Sequence, residues 1–191
     1  MNEKEMLRRM ARERGAEWDE TVREEASARI LGVLERMEEF ASARSVALYW
    51  SLPSEVRTHA FVERWSRCKR IYLPVMRGDS LVLCRFAGRE ALRPARFGIL
   101  EPAADHEALP QQMDLIVVPA VGFDACGNRL GHGRGFYDRL LRECAAPKVG
   151  LCFDCRLFDR IPCERHDVAV DYVISGSAQR AALYRDGKSL P

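Results

Sequence analysis

Apolar residues recur at three- and four-residue intervals near the start of the chain, which is the spacing of one face of an α-helix. The recurring positions are Val22, Ala26, Ile30, Val33, Met37 and Phe40. Glutamate and arginine fill the positions between them, as expected for the solvated back of such a helix. The pattern therefore predicts that residues 1–44 are helical and pack through this face on the rest of the protein.

Beyond residue 45 the pattern changes to short apolar runs, which predict strands, and to two further segments with helical spacing. The predicted strands are 45–50, 70–75, 80–86, 114–121, 148–153 and 171–175, and the predicted helices are 58–67 and about 136–144. Between them, Pro94, Gly98, Pro102 and Pro110 predict a loop-rich stretch. Helices that alternate with buried strands predict an α/β fold. We expect a single layered domain over residues 1–191, with a mainly parallel central sheet flanked by helices.

Composition and charge narrow the class of protein. A length of 191 residues suits one domain, and 47% hydrophobic with 30% charged residues is typical of a soluble globular protein. The net charge of +2 gives no support for a nucleic-acid-binding protein. The charged start MNEKEMLRRMARERGAE is not a secretory signal, and no apolar run approaches the roughly 20 residues that cross a bilayer. We expect a cytoplasmic monomer without a membrane partner, whose seven cysteines are free thiols.

The densest chemical signal is the segment RLGHGRGFYD at 129–138, which follows a predicted buried strand and precedes a predicted helix. Its alternate glycines, Gly131, Gly133 and Gly135, allow a ligand to approach the main chain closely. Backbone N–H groups there, with Arg129 and Arg134, suit a phosphate, and Asp138 is placed to hold Mg²⁺ against phosphate oxygens. The spacing matches neither the Walker A motif nor the dinucleotide fingerprint. The alternative is a glycine-rich turn in which Asp138 is only a helix-terminal charge.

A second cluster, LYWSLPSEVRT at 48–58, follows a predicted strand, where open α/β sheets usually bind ligands. Glu55 could accept hydrogen bonds from an amino-heterocycle, and Trp50 offers a surface on which a ring can stack. The alternative is that Trp50 belongs to the core, Glu55 is solvated and Thr58 caps the next helix.

Cys152, Cys155, Cys163 and His166 have the spacing C-x2-C-x7-C-x2-H, which contains one pair typical of zinc ligands. The distance between the two pairs is shorter than in the commoner zinc modules, and Cys152 falls in a predicted buried strand. Asp167 follows directly and is either a ligand carboxylate or a cap. Local sequence leaves a zinc site and ordinary core cysteines both open.

Taken together, these segments resemble the 5-formyltetrahydrofolate cyclo-ligase family. The resemblance is carried by KEMLR (4–8), YWSLPSEVRT (49–58), LPV (73–75), FGILEP (97–102), VPAVGFDACGNRLGHGRGFYDRLL (118–141), IPCERHD (161–167) and VDYVI (170–174). It implies a NagB/RpiA/CoA transferase-like α/β fold. It also implies an ATP-dependent closure of 5-formyltetrahydrofolate to 5,10-methenyltetrahydrofolate, with release of ADP and phosphate after phosphorylation of the formyl oxygen.

The resemblance also assigns residues to roles. It implies ATP binding by Lys4, Arg8, Arg129, Leu130, Gly131, His132, Gly133, Arg134, Gly135, Phe136 and Tyr137. It implies folate binding by Trp50, Glu55, His132, Gly133, Arg134, Gly135 and Phe136. It implies Mg²⁺ at Asp138 and Asp167, with Arg129, Arg134 and Asp138 carrying the chemistry.

The chain departs from the family pattern at a few positions. Arg156 stands where the family commonly has glutamine, Phe136 replaces a tyrosine, and PAVGFD replaces PGVAFD. Two other functions stay open. One is a sugar-phosphate isomerase or CoA transferase-like enzyme that needs no ATP, and the other is a non-catalytic folate- or nucleotide-binding relative.

Overall fold

The computed structural model describes residues 2–95, 100–103 and 106–190. Five α-helices occur in these ranges: α1 (Glu3–Ala16), α2 (Glu20–Arg36), α3 (Glu38–Ser42), α4 (His59–Trp65) and α5 (Phe136–Arg142). The predicted N-terminal helical region is therefore three helices. A capping box between Asn2 and Glu5 begins α1, and the Asp19 side chain accepts a hydrogen bond from Val22 N at 2.8 Å to begin α2.

The described ranges contain fourteen strands. They are β1 (Ser45–Ala47), β2 (Arg70–Arg77), β3 (Ser80–Arg85), β4 (Leu92–Pro94), β5 (Leu100–Pro102), β6 (Glu107–Ala108), β7 (Leu115–Val118), β8 (Gly122–Asp124), β9 (Arg129–Leu130), β10 (Lys148–Phe153), β11 (Leu157–Phe158), β12 (Tyr172–Gly176), β13 (Ala181–Arg185) and β14 (Lys188–Leu190). Short 3₁₀ turns at Arg89–Ala91, Pro110–Gln112 and Asp154–Arg156 connect some of them.

Nine strands form the main sheet in the order β14-β13-β12-β10-β7-β1-β2-β3-β6. Its five central strands, β12, β10, β7, β1 and β2, are parallel, and the strands at both edges are antiparallel. A three-stranded sheet, β11-β8-β9, and the pair β4-β5 are the other two sheets among the described residues. Since α2 packs on β10, β12 and β13, and α5 packs on β3, helices lie on both faces. The predicted α/β layering around a mainly parallel sheet is confirmed.

The boundaries differ from the prediction in several places. The predicted strand 45–50 ends at Ala47, although residues 48–50 are buried. The predicted strand 114–121 is shorter in the structure and spans Leu115–Val118. The small strands β8, β9 and β11 and the antiparallel pair β13-β14 are not in the predicted set. Residues 96–99, which include Gly98 and part of FGILEP, lie outside the described ranges. No helix of the described ranges is both long and apolar enough to cross a bilayer.

Helix α1 packs on the three-stranded sheet through a small apolar cluster of its own. The cluster contains Leu7, Ala11, Val121, Leu130, Phe158 and Ile161. Because β8 and β9 lead into the glycine-rich segment, this cluster places the N-terminal helix beside that segment.

The carboxylate of Asp124, at the end of β8, forms hydrogen bonds to two segments next to the three-stranded sheet. It is 2% exposed, and Oδ1 accepts hydrogen bonds from the backbone N–H groups of Cys126 and Asn128, both at 3.0 Å. Oδ2 accepts from Asn128 Nδ2 at 2.8 Å and from Ile161 N at 2.9 Å. One side chain therefore joins the turn before β9 to the segment that contains IPCERHD.

We expect Asp124→Ala to lower the free energy of unfolding by about 3 kcal/mol or more, because it leaves several buried donors without an acceptor. Urea denaturation followed by circular dichroism measures the change. Asp159→Ala is the matched control, because Asp159 is exposed. A loss of less than about 1 kcal/mol for Asp124→Ala would mean that the hydrogen bonds of the Asp124 carboxylate contribute little to the stability of the fold.

Candidate active site

A cavity of about 650 Å³ opens where the parallel strands end at their carboxyl side. The segments after β1, β7 and β10 all emerge at this edge because these strands are parallel. The cavity is lined by Lys4, Arg8, Trp50, Glu55, Arg129, Gly131, His132, Gly133, Arg134, Gly135, Phe136, Tyr137, Asp138 and Asp167. Leu130, in contrast, is fully buried in the cluster under α1. The structure thus brings together all but one of the residues predicted for the site.

The glycine-rich segment 129–135 (the glycine loop) runs from β9 to the start of α5. Gly133 has φ of 91° and Gly135 has φ of 64°, a left-handed conformation that other residues rarely adopt. Gly135 is the N-cap residue of α5. The loop's course along the cavity therefore requires glycine at these two positions.

Arg129 and Asp138 form a buried ion pair that joins the two ends of this segment. Arg129 Nη2 donates to Asp138 Oδ1 at 2.8 Å, and their side chains are only 6% and 12% exposed. Asp138 Oδ1 also accepts from Val168 N at 3.2 Å. Arg129 Nε is buried without a hydrogen-bond partner among the described residues. A buried guanidinium that lines a cavity suits an anionic ligand.

Helix α1 contributes two cations to the cavity. Lys4 Nζ lies 2.6 Å from Asp167 Oδ2 and 3.1 Å from Glu164 Oε1, and Arg8 Nε donates to the carbonyl oxygen of Gly131 at 2.8 Å. Burial lowers the pKa of Lys4, but the two carboxylates outweigh it and raise the pKa above its usual range. Burial raises the pKa of Asp167, but hydrogen bonds from Lys4 and Glu164 N hold it below its usual range. Lys4 is therefore charged, and Asp167 is a carboxylate, at neutral pH.

Trp50 and Glu55 lie on the loop after β1. The Trp50 ring is buried, stacked against His59 at 4.2 Å between ring centroids and packed near Phe86 at 5.8 Å. Trp50 therefore belongs to the core and also lines the cavity. Its place in the core does not exclude contact with a ligand. Its stacking surface is already shared with His59 and Phe86.

Glu55 is part-buried rather than freely solvated, and Oε2 accepts a hydrogen bond from Leu52 N at 2.8 Å. Burial raises the pKa of Glu55 to about 7, against the opposing effects of the Leu52 N–H and of Arg156. Thr58 begins α4 without a side-chain capping bond; its hydroxyl donates to the carbonyl oxygen of Tyr49 instead. Thr58 is therefore the N-cap residue of α4, as the alternative expected, although its side chain makes no capping bond.

The four potential zinc ligands do not form a metal site. Cys152 is buried, and burial raises the pKa of its thiol to about 12. Cys155 is half-buried, while Cys163 and His166 are exposed. In the described ranges, no group of three or more histidine, cysteine, aspartate or glutamate side chains is placed to hold a metal ion. The zinc alternative is therefore not supported.

Two departures from the family pattern lie close to the cavity. Arg156 is 8% exposed, its Nε has no hydrogen-bond partner among the described residues, and its guanidinium approaches Gly15 of α1. Phe136 lines the cavity, and the guanidinium of Arg139 lies 5.2 Å from its ring centroid. Neither departure removes a predicted phosphate or metal contact.

Three further acidic residues at the site were not identified from the sequence: Asp124, Glu164 and Glu101. Asp124 holds the turn before β9, which leads into the glycine loop. Glu164 shares Lys4 with Asp167, and Glu101 lines the cavity. Each lies in a segment that carries the family resemblance. The bonds from Ile161 N to Asp124, from Lys4 to Glu164 and from Met76 N to Glu101 join distant parts of the chain, and local spacing does not reveal such contacts.

Comparison with known proteins decides the family. The model of the 5-formyltetrahydrofolate cyclo-ligase family matches residues 1–176. The chain belongs to this cyclo-ligase family. It is 34% identical over 176 residues to the 5-formyltetrahydrofolate cyclo-ligase of Mycolicibacterium smegmatis, a match that covers 86% of this chain and 89% of that protein. It is 34% identical over 143 residues to the cyclo-ligase of Haemophilus influenzae, covering 70% and 76% of the two chains.

Two solved structures with this fold extend the comparison. The 5,10-methenyltetrahydrofolate synthetase of Aquifex aeolicus is 31% identical and superimposes with a TM-score of 0.83, over 98% of this chain and 96% of that one. The 5,10-methenyltetrahydrofolate synthetase of Mycoplasma pneumoniae superimposes with a TM-score of 0.72 at 20% identity, over 93% and 99% of the two chains, and supports the fold alone. The likeness of the cyclo-ligase fold to the NagB/RpiA type stays a prediction.

Proposed function

We propose that this cyclo-ligase family member converts 5-formyltetrahydrofolate to 5,10-methenyltetrahydrofolate, with ATP converted to ADP and phosphate. One observation carries the proposal. The cations of α1, the glycine loop and Glu55 all face a single cavity, so that a nucleotide and a reduced folate can meet there. That the protein is a cytoplasmic monomer of one domain stays a prediction.

The nucleotide end of the cavity is the end formed by α1 and the glycine loop. Lys4, Arg8 and Arg129 supply positive charge there, and main-chain N–H groups of the loop add donors. Arg134 also lines this end of the cavity. Transfer of a phosphoryl group depends mainly on placement and on neutralising spread negative charge. These residues suit that task without a serine or cysteine nucleophile.

Asp138 and Asp167 are suited to hold Mg²⁺ with the phosphates. Asp138 accepts a hydrogen bond from Val168 N, and Val168 follows Asp167, so that the two carboxylates come close at the cavity wall. Mg²⁺ is usually bound by one or two carboxylates, phosphate oxygens and water, and two acidic ligands are therefore enough. When bound, the ion neutralises charge that develops on the phosphates.

The folate end of the cavity is the end formed by the loop after β1. A carboxylate of Glu55 would accept hydrogen bonds from N–H groups of the pterin, beside the packed ring of Trp50. The formyl oxygen then attacks the γ-phosphorus, the bond to the ADP oxygen breaks, and ADP leaves. N10 next attacks the formyl carbon, and phosphate leaves with the electrons of the C–O bond. Holding N10 beside that carbon gives the advantage of an intramolecular reaction.

The experiment is to incubate the protein with 5-formyltetrahydrofolate and Mg-ATP and to follow the ultraviolet absorbance of the methenyl product. Product formed in equal amount with ADP supports the proposal. Tight binding of ATP or folate without turnover would identify a non-catalytic binding protein. Turnover of a sugar phosphate or an acyl-CoA without ATP would identify an enzyme of the other predicted class.

We expect the affinity for 5-formyltetrahydrofolate to rise as the pH rises through about 7 and to level off above it, because the Glu55 pKa is raised to about 7 and only its carboxylate accepts pterin N–H groups. Below that pH, the affinity should fall about tenfold per unit. Equilibrium binding of the folate between pH 5.5 and 8.5 measures this dependence of the affinity on pH.

Glu55→Gln should bind the folate weakly at every pH, with the affinity for ATP largely unchanged. The exposed residue Glu90 gives a matched control, because Glu90→Gln removes a carboxylate outside the cavity lining. Equal losses of folate and ATP affinity in Glu55→Gln would instead assign Glu55 a structural role.

A further inference from the structure

If the proposed function holds, ring closure needs a proton acceptor, and none of the residues assigned a role so far supplies it. When N10 attacks the formyl carbon, its nitrogen must give up a hydrogen as a proton while phosphate leaves with the C–O electrons. Positioned acceptors typically accelerate such steps about 10²–10⁴-fold. The acceptor must face the cavity and must not already be committed to a cation or to another part of the substrate.

The acidic groups at the nucleotide end already form ion pairs with cations. Asp138 accepts from Arg129 at 2.8 Å, and Asp167 and Glu164 both accept from Lys4, at 2.6 Å and 3.1 Å. A carboxylate held by a cation is a weak proton acceptor, because the cation favours its charged form. These three groups are therefore unsuited to take the N10 proton.

The two histidines of the cavity wall are also poorly suited. Burial and the nearby Arg8, Arg129 and Arg156 lower the pKa of His132, because its protonated form would add a charge among cations. His166 is 63% exposed and lies beside Glu164 and Asp167, at the nucleotide end. Glu55, the remaining carboxylate on the folate side, is assigned to the pterin.

Glu101, on β5, is different from all of these groups. It lines the cavity, and its Oε1 accepts a hydrogen bond from Met76 N at 3.2 Å, which fixes the side chain against β2. It makes no ion pair with any residue in the described ranges. Burial raises the pKa of Glu101, against the effect of the Met76 N–H, so that the carboxylate takes a proton more readily than an exposed one.

The cations nearest to Glu101 along the strands are engaged elsewhere. Arg93 is its partner across the β4-β5 pair, but Arg93 Nη1 donates to the carbonyl oxygens of Glu90 and Leu92 at 2.6 Å and 3.0 Å. Arg77, next to Met76, donates to Glu107 at 2.6 Å. Neither guanidinium neutralises the Glu101 carboxylate, which leaves it available to a substrate N–H.

The wall around Glu101 is apolar. Leu73, Pro74, Met76, Leu81 and Leu100 line the same cavity, and Met76 pairs with Leu81 across β2 and β3. Such a wall suits the p-aminobenzoyl ring, which is attached directly to N10. We propose that Glu101 accepts the N10 proton during ring closure, with the aromatic ring of the folate held against this apolar wall. The carboxylate becomes a carboxylic acid as N10 becomes part of the methenyl bridge, and it later returns the proton to water.

The test is Glu101→Gln, which keeps an oxygen for the Met76 N–H but cannot take the proton. We expect kcat for the methenyl product to fall about 100-fold, with the KM values for ATP and folate within about threefold of those of the wild type. Phosphoryl transfer precedes the proton transfer. We therefore expect scrambling of the β,γ-bridging oxygen in labelled ATP, measured with the folate present, to continue in this variant. Glu90→Gln is the matched control, and circular dichroism checks the fold.

A kcat for Glu101→Gln within about threefold of the wild-type value would overturn the proposal. So would a parallel loss of oxygen scrambling and product formation, which would place Glu101 before phosphoryl transfer. Glu101→Asp keeps a carboxylate and should recover at least about tenfold over Glu101→Gln; equal rates for the two variants would also contradict the assignment. Failure of the wild-type protein to form the methenyl product is a different result, since it would refute the proposed function itself.

Discussion

Asp138→Ala is expected to lower turnover about 10³-fold, the largest effect of any single change in the cavity. The substitution removes the carboxylate proposed for Mg²⁺ and leaves Arg129, with a side chain only 6% exposed, without its partner at 2.8 Å. It also removes the acceptor for Val168 N, which joins the segment of Asp167 to the loop. The measurement is the rate of methenyl product formation at saturating ATP and folate, with the fold checked by circular dichroism.

Arg129→Ala provides the second arm of this experiment. If the two residues act as one unit, then the double variant should lose little more activity than either single variant. Asp159→Ala is the control, because Asp159 is an exposed aspartate outside the cavity lining. Near-wild-type turnover in a folded Asp138→Ala protein would refute the assignment of the glycine loop to phosphate transfer.

The helix-forming part of the sequence could be predicted because its signal is local. The apolar residues at three- and four-residue intervals from Ala26 to Phe40 identify the buried face of the N-terminal helices, and Ala26, Ile30 and Phe40 are fully buried. The spacing does not reveal where one helix ends. The breaks between α1, α2 and α3 depend on caps such as Asp19, whose role is visible only when its side chain accepts from Val22 N.

The strands that could be predicted are those that carry a clear apolar run. The central strands β7 and β10 are continuous apolar runs, and the sequence predicts both. The pair β13-β14 at the edge of the sheet is only partly buried, and its one apolar run, at 181–184, is short and begins with two alanines. The two- and three-residue strands β8, β9 and β11 are defined by partners elsewhere in the chain.

The residues of the candidate site also divide into those with a local signal in the sequence and those without one. Gly133 and Gly135 stand out from the sequence because a left-handed backbone selects glycine locally. The contact between Lys4 and Asp167 joins residues 163 positions apart, and no spacing in the sequence encodes it. The family resemblance is therefore what connected these two residues to the loop. Glu101 remained unrecognised even so, because its position against Met76 N depends on how β5 packs on β2.

Lys4→Met is expected to raise the KM for ATP about 100-fold, while the KM for the folate stays within about threefold. The ammonium group lies at the nucleotide end of the cavity with 14% of its side chain exposed, and loss of a charge-assisted bond to phosphate costs about 1.5–3 kcal/mol. Methionine keeps the length and the apolar stem of the side chain, so that helix α1 retains its packing through Leu7 and Ala11. Steady-state kinetics with each substrate varied in turn measure the two KM values.

Two further variants separate phosphate binding by Lys4 from a role in fixing helix α1. Arg9→Met on the same helix is the control, because the Arg9 side chain is 55% exposed and pairs only with Glu13 among the described residues. Lys4→Arg keeps the charge and should recover most of the ATP affinity if the cation itself contacts phosphate. An equal rise of both KM values in Lys4→Met, or a Lys4→Arg protein no better than Lys4→Met, would show instead that Lys4 acts by holding the helix to Asp167 and Glu164. The selective rise in the KM for ATP is therefore the result that assigns the lysine to the nucleotide.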